Sequence, residues 1–144
     1  MYRIKTGELP ATLPPTSVWT IDHLDLVISI VNLENDKFRT LYRHYFENTN
    51  GILFVIDGSE RKKLELAREQ LNWLLTQDLL NRLPLLVLAN KADLENIDID
   101  EITEELQLEK LKDRKWLILK GSAKTGEGLG QGVDWLRTES TARN

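Results

Sequence analysis

Three observations predict an α/β domain built on a mostly parallel sheet. Continuous apolar runs of strand length occupy positions 52–56, 85–89 and 116–119, as strands buried on both faces require. A helix-period stripe follows each of them: Leu64, Ala67, Leu71, Leu74 and Leu75; then Ile102 and Leu106; then Leu129, Val133 and Leu136. Strand–helix repetition of this kind implies right-handed crossovers between parallel strands. The chain has 144 residues, 41% hydrophobic and 29% charged, which suits one domain with a real core.

The elements run in order along residues 1–144, read as a single domain. Positions 1–17, marked by Pro14-Pro15, read as loop. Apolar and β-branched residues at 19–21 and 24–31 predict two strands about a turn at Asp22-His23. Phe38, Leu41, Tyr42, Tyr45 and Phe46 then repeat as one face of an amphipathic helix. The three strand–helix units follow, and 138–144 read as a flexible tail. Acidic residues from Asp98 to Glu105 read as a solvated helix start, where carboxylates suit the dipole.

Composition narrows the function classes. With 19 basic and 23 acidic side chains the formal charge is −4, so nucleic acid is not an expected partner. The chain has no cysteine, which excludes disulfides, thiolate metal sites, prenylation and palmitoylation. His23 and His44 lack ligand-like spacing, and no metal site is expected from them. Tyr2 stands where myristoylation needs glycine, and no run reaches the roughly 20 apolar residues of a membrane span. The expected location is the cytoplasm, without a stable membrane anchor.

In parallel α/β sheets ligands lie beyond the carboxyl ends of the strands, here just after Ile56, Ala89 and Leu119. Two of these ends carry a suggestive set: Asn90-Lys91-Ala92-Asp93 and Gly121-Ser122-Ala123-Lys124. A fixed Asp93 carboxylate could accept the adjacent N1–H and 2-amino donors of guanine, a pair adenine lacks. The Ala123 N–H could donate to O6. The aliphatic stems of Lys91 and Lys124 could cover the ring faces, and the Asn90 amide could tie the two loops together.

These N-K-x-D and S-A-K elements resemble those of small GTPases. Leu41-Tyr42-Arg43-His44-Tyr45-Phe46-Glu47-Asn48-Thr49 is similar to the L-W-R-H-Y-F-x-N-T run of the ADP-ribosylation factor (Arf) family. Ala67-Arg68-Glu69, the stretch 111–116 and that from Gly128 to Leu136 fit the same family, so the likeness spans nearly the whole chain. It implies a three-layer small-GTPase-like fold of the phosphate-loop NTPase class, GTP or GDP as ligand, effector and regulator proteins as partners, and a role in vesicle trafficking. It assigns guanine contacts to Asn90, Lys91, Asp93, Ser122, Ala123 and Lys124. Thr16 matches a switch threonine, and Trp19 and Tyr45 match effector-gripping aromatics, whereas the third aromatic of that patch is Ile30 here.

Other family elements are absent from these residues. No G-x-x-x-x-G-K-S/T phosphate loop occurs, and the family's first strand has no counterpart. Only Gly121 and Gly126 have the glycine spacing, and Glu127-Gly128 follows them. At the D-x-x-G-Q position stands Val31-Asn32-Leu33-Glu34-Asn35, which cannot contact Mg²⁺ or the γ-phosphate in the family's manner. Asn35 is better read as a helix cap. The expectation is weak GTP or GDP binding without dependable Mg²⁺, no catalytic residues and no hydrolysis. A pseudo-GTPase interaction module without nucleotide, and a truncated product of a longer GTPase, are the alternative readings. With the first strand gone, strand 24–31 is expected to pair directly with strand 52–57, or across a dimer, because unpaired edges are costly.

Overall fold

The computed structural model describes residues 18–23, 26–31, 39–94 and 97–142. Strand β1 (Val18–His23) pairs antiparallel with β2 (Leu26–Val31). Trp19 stands opposite Ile30, and His23 opposite Leu26. The ladder continues through Asp22 and His23, where the sequence suggested a turn.

Helix α1 (Arg39–Phe46) leads to a second, parallel sheet of β3 (Ile52–Asp57), β4 (Leu85–Asn90) and β5 (Trp116–Lys120), in the order β3-β4-β5. The three strands start level: Ile52 lies beside Leu85, and Leu85 beside Trp116. Between them run α2 (Leu64–Leu75) and α3 (Ile99–Glu105), and α4 (Leu129–Thr141) closes the chain. The expected α/β architecture with a mostly parallel sheet is observed. The expected direct β2–β3 pairing is not: among the described residues the hairpin and the parallel sheet form separate ladders, and β3 pairs only with β4. Each strand offers two edges, and among the described residues β2 uses only the one that faces β1.

Alternation along the strands sends Ile52, Phe54, Ile56, Leu85, Val87 and Ala89 to one face. There they join Tyr42 and Phe46 of α1, Leu64, Leu71 and Leu74 of α2, and Ile102 of α3 in a single core. The opposite face is covered by α4, where Gly132 allows close approach. A Cβ at that position would lie 2.8 Å from Leu86 Cδ2. Coverage stops short of β3, whose Val55 is 50% exposed.

Local chemistry sets the helix ends. The acidic run lies at a helix start, as expected, and Asp98 also caps α3 by accepting from the N–H groups of Asp100 (3.0 Å) and Glu101 (3.2 Å). Past α2, the Thr76 hydroxyl and Gln77 amide both donate to the Trp73 carbonyl, at 2.7 and 3.0 Å. Residues 138–141, expected in a flexible tail, are helical instead. Helix α4 continues through Thr141, with Ser140 buried and its hydroxyl bonded to the Leu136 carbonyl at 2.6 Å. The loop expected at 1–17 lies outside the described residues. Among the described residues no helix is long and apolar enough to cross a membrane.

Leu71 is 1% exposed at the centre of the core. Leu71→Ala should cost about 2–5 kcal/mol in urea unfolding. Leu94→Ala, at a residue 62% exposed, should cost under about 0.5 kcal/mol.

Candidate functional site

Strands β4 and β5 end side by side, and their trailing loops are stitched together by backbone hydrogen bonds. Gly121 N–H donates to the Ala89 carbonyl at 2.9 Å, and Ala92 N–H donates to the Gly121 carbonyl at 3.0 Å. Lys91 takes a left-handed backbone, φ 69°, which turns the chain sharply off the strand. The second loop folds back on itself: Gly126 N–H reaches the Ser122 carbonyl (2.8 Å) and Ser122 N–H the Glu127 carbonyl (3.0 Å). Gly128 has φ 73°, and a Cβ there would collide with the Lys120 carbonyl oxygen. Only glycine fits.

Side chains complete the connection. Ser122 is fully buried; its hydroxyl donates to Asp93 Oδ1 at 2.5 Å and accepts from Thr125 N–H at 3.2 Å. Asn90 Oδ1 accepts from Ala123 N–H at 2.9 Å. Lys124 Nζ stands 3.9 Å from Asp93 Oδ2. The Ser122 hydroxyl bond holds the Asp93 carboxyl below its ordinary pKa; partial burial opposes this and Lys124 assists it.

All six residues proposed for guanine contacts thus converge on two adjacent loops. Asp93 has one oxygen anchored by Ser122 and retains acceptor capacity on the other, since a carboxylate offers about four lone-pair positions. The Asn90 amide ties the loops together. One expected detail differs: the Ala123 N–H is already bonded to Asn90. A half-buried N–H takes the nearest acceptor, so an incoming carbonyl must displace or share the Asn90 oxygen. The remaining residues lie elsewhere. Tyr45 is on α1, 39% exposed, and His44 is exposed beside it. Trp19 is in β1, while Thr16 and positions 32–35 lie outside the described residues.

Sequence reasoning missed Asp57, the last residue of β3. Its Oδ2 is ion-paired with Lys91 Nζ, and its Oδ1 accepts from the Ser59 N–H (3.0 Å) and hydroxyl (2.7 Å). Gly58 N–H donates to the Asn90 carbonyl at 3.0 Å, so the end of β3 is fastened to the first loop. The signal was positional, since Asp57 directly follows Ile56 at a strand end. Burial alone would raise the Asp57 pKa, but the bonds from Lys91 and Ser59 outweigh it and hold the carboxyl below its ordinary value; Lys91 is raised in turn.

A parallel sheet with paired N-K-x-D and S-A-K loops beyond its strand ends defines a small-GTPase-type α/β domain. The chain belongs to the ADP-ribosylation factor family, whose model matches residues 1–140. Its fold is similar to that of the Arl6 BBS3 small GTPase from Trypanosoma brucei, solved with a bound nucleotide analogue, GppNp. The two share 23% identity with a TM-score of 0.80, over 99% of this chain and 89% of that one.

The pH dependence of Asp57 follows from the sign of its shift. A carboxyl depressed in the folded state stabilises fully above its unfolded pKa, about 3.9, and loses that contribution as pH falls through the folded value. The stability difference between wild type and Asp57→Asn should therefore be constant above about pH 5 and shrink below about pH 4 in urea titrations. A difference that grows on acidification contradicts the ion pair.

Proposed function

We propose that this Arf-like chain recognises the guanine base through its strand-end loops, binds nucleotide phosphate weakly and does not hydrolyse GTP. The observation that carries this reading is the Asp93 carboxylate, anchored by the buried Ser122 hydroxyl and flanked by the Asn90–Ala123 bond. A carboxylate held in one orientation accepts the two parallel donors on guanine's Watson–Crick edge without first losing rotational freedom. Lys91 and Lys124 offer their stems to the ring faces. The Asn90 amide, displaced from Ala123 by O6, remains beside the ring edge.

The residues fit the base better than they fit a metal-bound triphosphate. The sequence 31–35 replaces the family's metal, phosphate and water contacts with Val31, Glu34 and Asn35. Phosphoryl transfer depends on positioning and charge stabilisation, so a chain lacking both accelerates nothing. A second reading, an interaction module that works without nucleotide, is favoured by the exposed aromatic Tyr45 on α1. Effector or regulator proteins of the family, and a role in vesicle trafficking, belong to both readings.

Calorimetry with GDP, ATP and XDP on wild type and Asp93→Asn tests the base site. GDP should bind no tighter than about 10 μM, about −7 kcal/mol, with little response to Mg²⁺. ATP should bind more weakly, and Asp93→Asn should shift preference toward XDP, whose C2 oxygen accepts from the new amide. Nanomolar, Mg²⁺-dependent GTP binding would falsify the loss of phosphate recognition. Equal affinity for GDP and ATP leaves only the interaction module standing.

A further inference from the structure

At the other end of the parallel sheet, where the strands begin, lies an open cavity of about 480 Å³. Arg82 and Pro84 wall it ahead of β4, residues 112–115 ahead of β5, and Glu139 and Ala142 at the end of α4. Strands of five and six residues, rising about 3.3 Å each, set it roughly 17–20 Å from the base loops. Its walls are fixed to the sheet: the Leu85 N–H donates to the Lys115 carbonyl at 3.0 Å, and the Ile52 N–H to the Pro84 carbonyl at 2.8 Å. Four cations and two carboxylates line it, an excess of two positive charges. Two of the cations are matched, Lys115 with Glu139 at 2.7 Å and Arg114 with Asp113 at 3.2 Å. The other two, Arg82 and Lys112, are exposed, and their side chains have no ion pair or hydrogen bond to any described residue.

Arg114 makes this more than a patch of surface cations. Its side chain is 3% exposed; Nη1 donates to the Leu80 carbonyl at 3.2 Å, and Nε is buried without a hydrogen-bond partner. A guanidinium so sealed is poorly screened by water, and its field acts on whatever occupies the adjoining space. Arg82 in turn holds a left-handed backbone, φ 58°, a strained state for a residue with a side chain and one that gathers at ligand clamps. We propose that this cavity is a second binding site, taking a phosphate monoester dianion that bonds to Arg82 and Lys112 in the field of the buried Arg114. A monoester carries nearly two negative charges at pH 7, which match the excess, and offers three strong acceptor oxygens. The volume falls in the range of small-molecule sites, about 300–1,000 Å³. Glu139 and the negative end of α4 repel the anion, so it sits toward Arg82 and Lys112. None of these residues belongs to the strand-end loops, so the site stands independently of the base-recognition reading.

The test is NMR titration of the full 144-residue chain with glycerol 3-phosphate, following the backbone amides. Shifts should concentrate around Arg82, Lys112 to Lys115 and Glu139 to Ala142, with a Kd below about 1 mM. Dimethyl phosphate, a monoanion, should bind at least about tenfold more weakly, having lost one charged hydrogen bond. Arg82→Gln and Lys112→Gln, both at exposed positions that leave the core untouched, should each weaken glycerol 3-phosphate by about tenfold for the same reason. Lys62→Ala removes an exposed lysine elsewhere and should change nothing. Flotation with phosphatidic acid vesicles, against phosphatidylcholine vesicles, separates the sources of the monoester. Capture that Arg82→Gln and Lys112→Gln reduce assigns it to a lipid headgroup, and no capture assigns it to a soluble ester; both leave the site standing. The absence of shifts at about 10 mM ligand overturns the proposal. So do shifts confined to the strand-end loops, equal affinity for dimethyl phosphate, or a loss in Lys62→Ala as large as that in Lys112→Gln.

Discussion

The rest of the structure hangs on β4, a strand hydrogen-bonded along both edges and buried along its first five residues. Leu85, Leu86, Val87, Leu88 and Ala89 are all at most 4% exposed, and β3 and β5 pair with it in register on either side. A strand so placed has no freedom to slip, because a one-residue shift would exchange its two faces and break both ladders at once. Its carboxyl end is therefore fixed in position, and that end is where Asn90 begins. Both loops of the candidate site take their places from it. The Ala89 carbonyl receives the Gly121 N–H, the Asn90 carbonyl receives the Gly58 N–H, and the Asn90 amide receives the Ala123 N–H.

That arrangement explains why loops carry the chemistry with so little ordered structure of their own. Each loop contributes one buried or half-buried anchor that satisfies the other. Ser122 has no solvent exposure and would be costly to bury without a partner; Asp93 supplies one, and in doing so loses its own rotational freedom. The same economy leaves Ala123 with its N–H engaged, so an acceptor arriving there would exchange partners within a preformed frame. A preformed frame lowers the ordering cost of binding, while the exchange reduces the net gain from the O6 bond.

Much of the fold was legible from periodicity. The three parallel strands and the helices after them declare themselves through continuous apolar runs and helix-period stripes. Only β4 is buried on both faces, however: Val55 of β3 is half exposed and β5 is half-buried from Trp116 to Leu119. The candidate loop residues stood out for another reason: the donors and acceptors of guanine call for particular side chains at strand ends, and the Asn90 tie between the two loops is observed. Pairing partners were harder, since apolar alternation in β2 records which face is buried and not which strand lies alongside. Asp57 was missed because a single carboxylate at a strand end has no pattern; its meaning comes from the left-handed Lys91 that turns back toward it. The Asn90–Ala123 bond was equally unreadable, being a competition between an internal amide and a ligand for one N–H.

The two faces of the parallel sheet are unequally closed, and this bears on what the site depends on. One face is sealed by side chains from α1, α2 and α3, together with Leu80, Ile97, Leu106 and Leu108. The other is closed by α4 over β4, with Val55 of β3 half in solvent. Stability is therefore concentrated on the first face and on the β4–β5 side, where both base loops originate. Disturbance at β3 reaches those loops by two named links, the Gly58–Asn90 backbone bond and the Asp57–Lys91 ion pair. The first carries geometry and the second carries charge. A change at β3 that preserves the backbone but alters its terminal carboxylate therefore reaches the first loop through the ion pair alone.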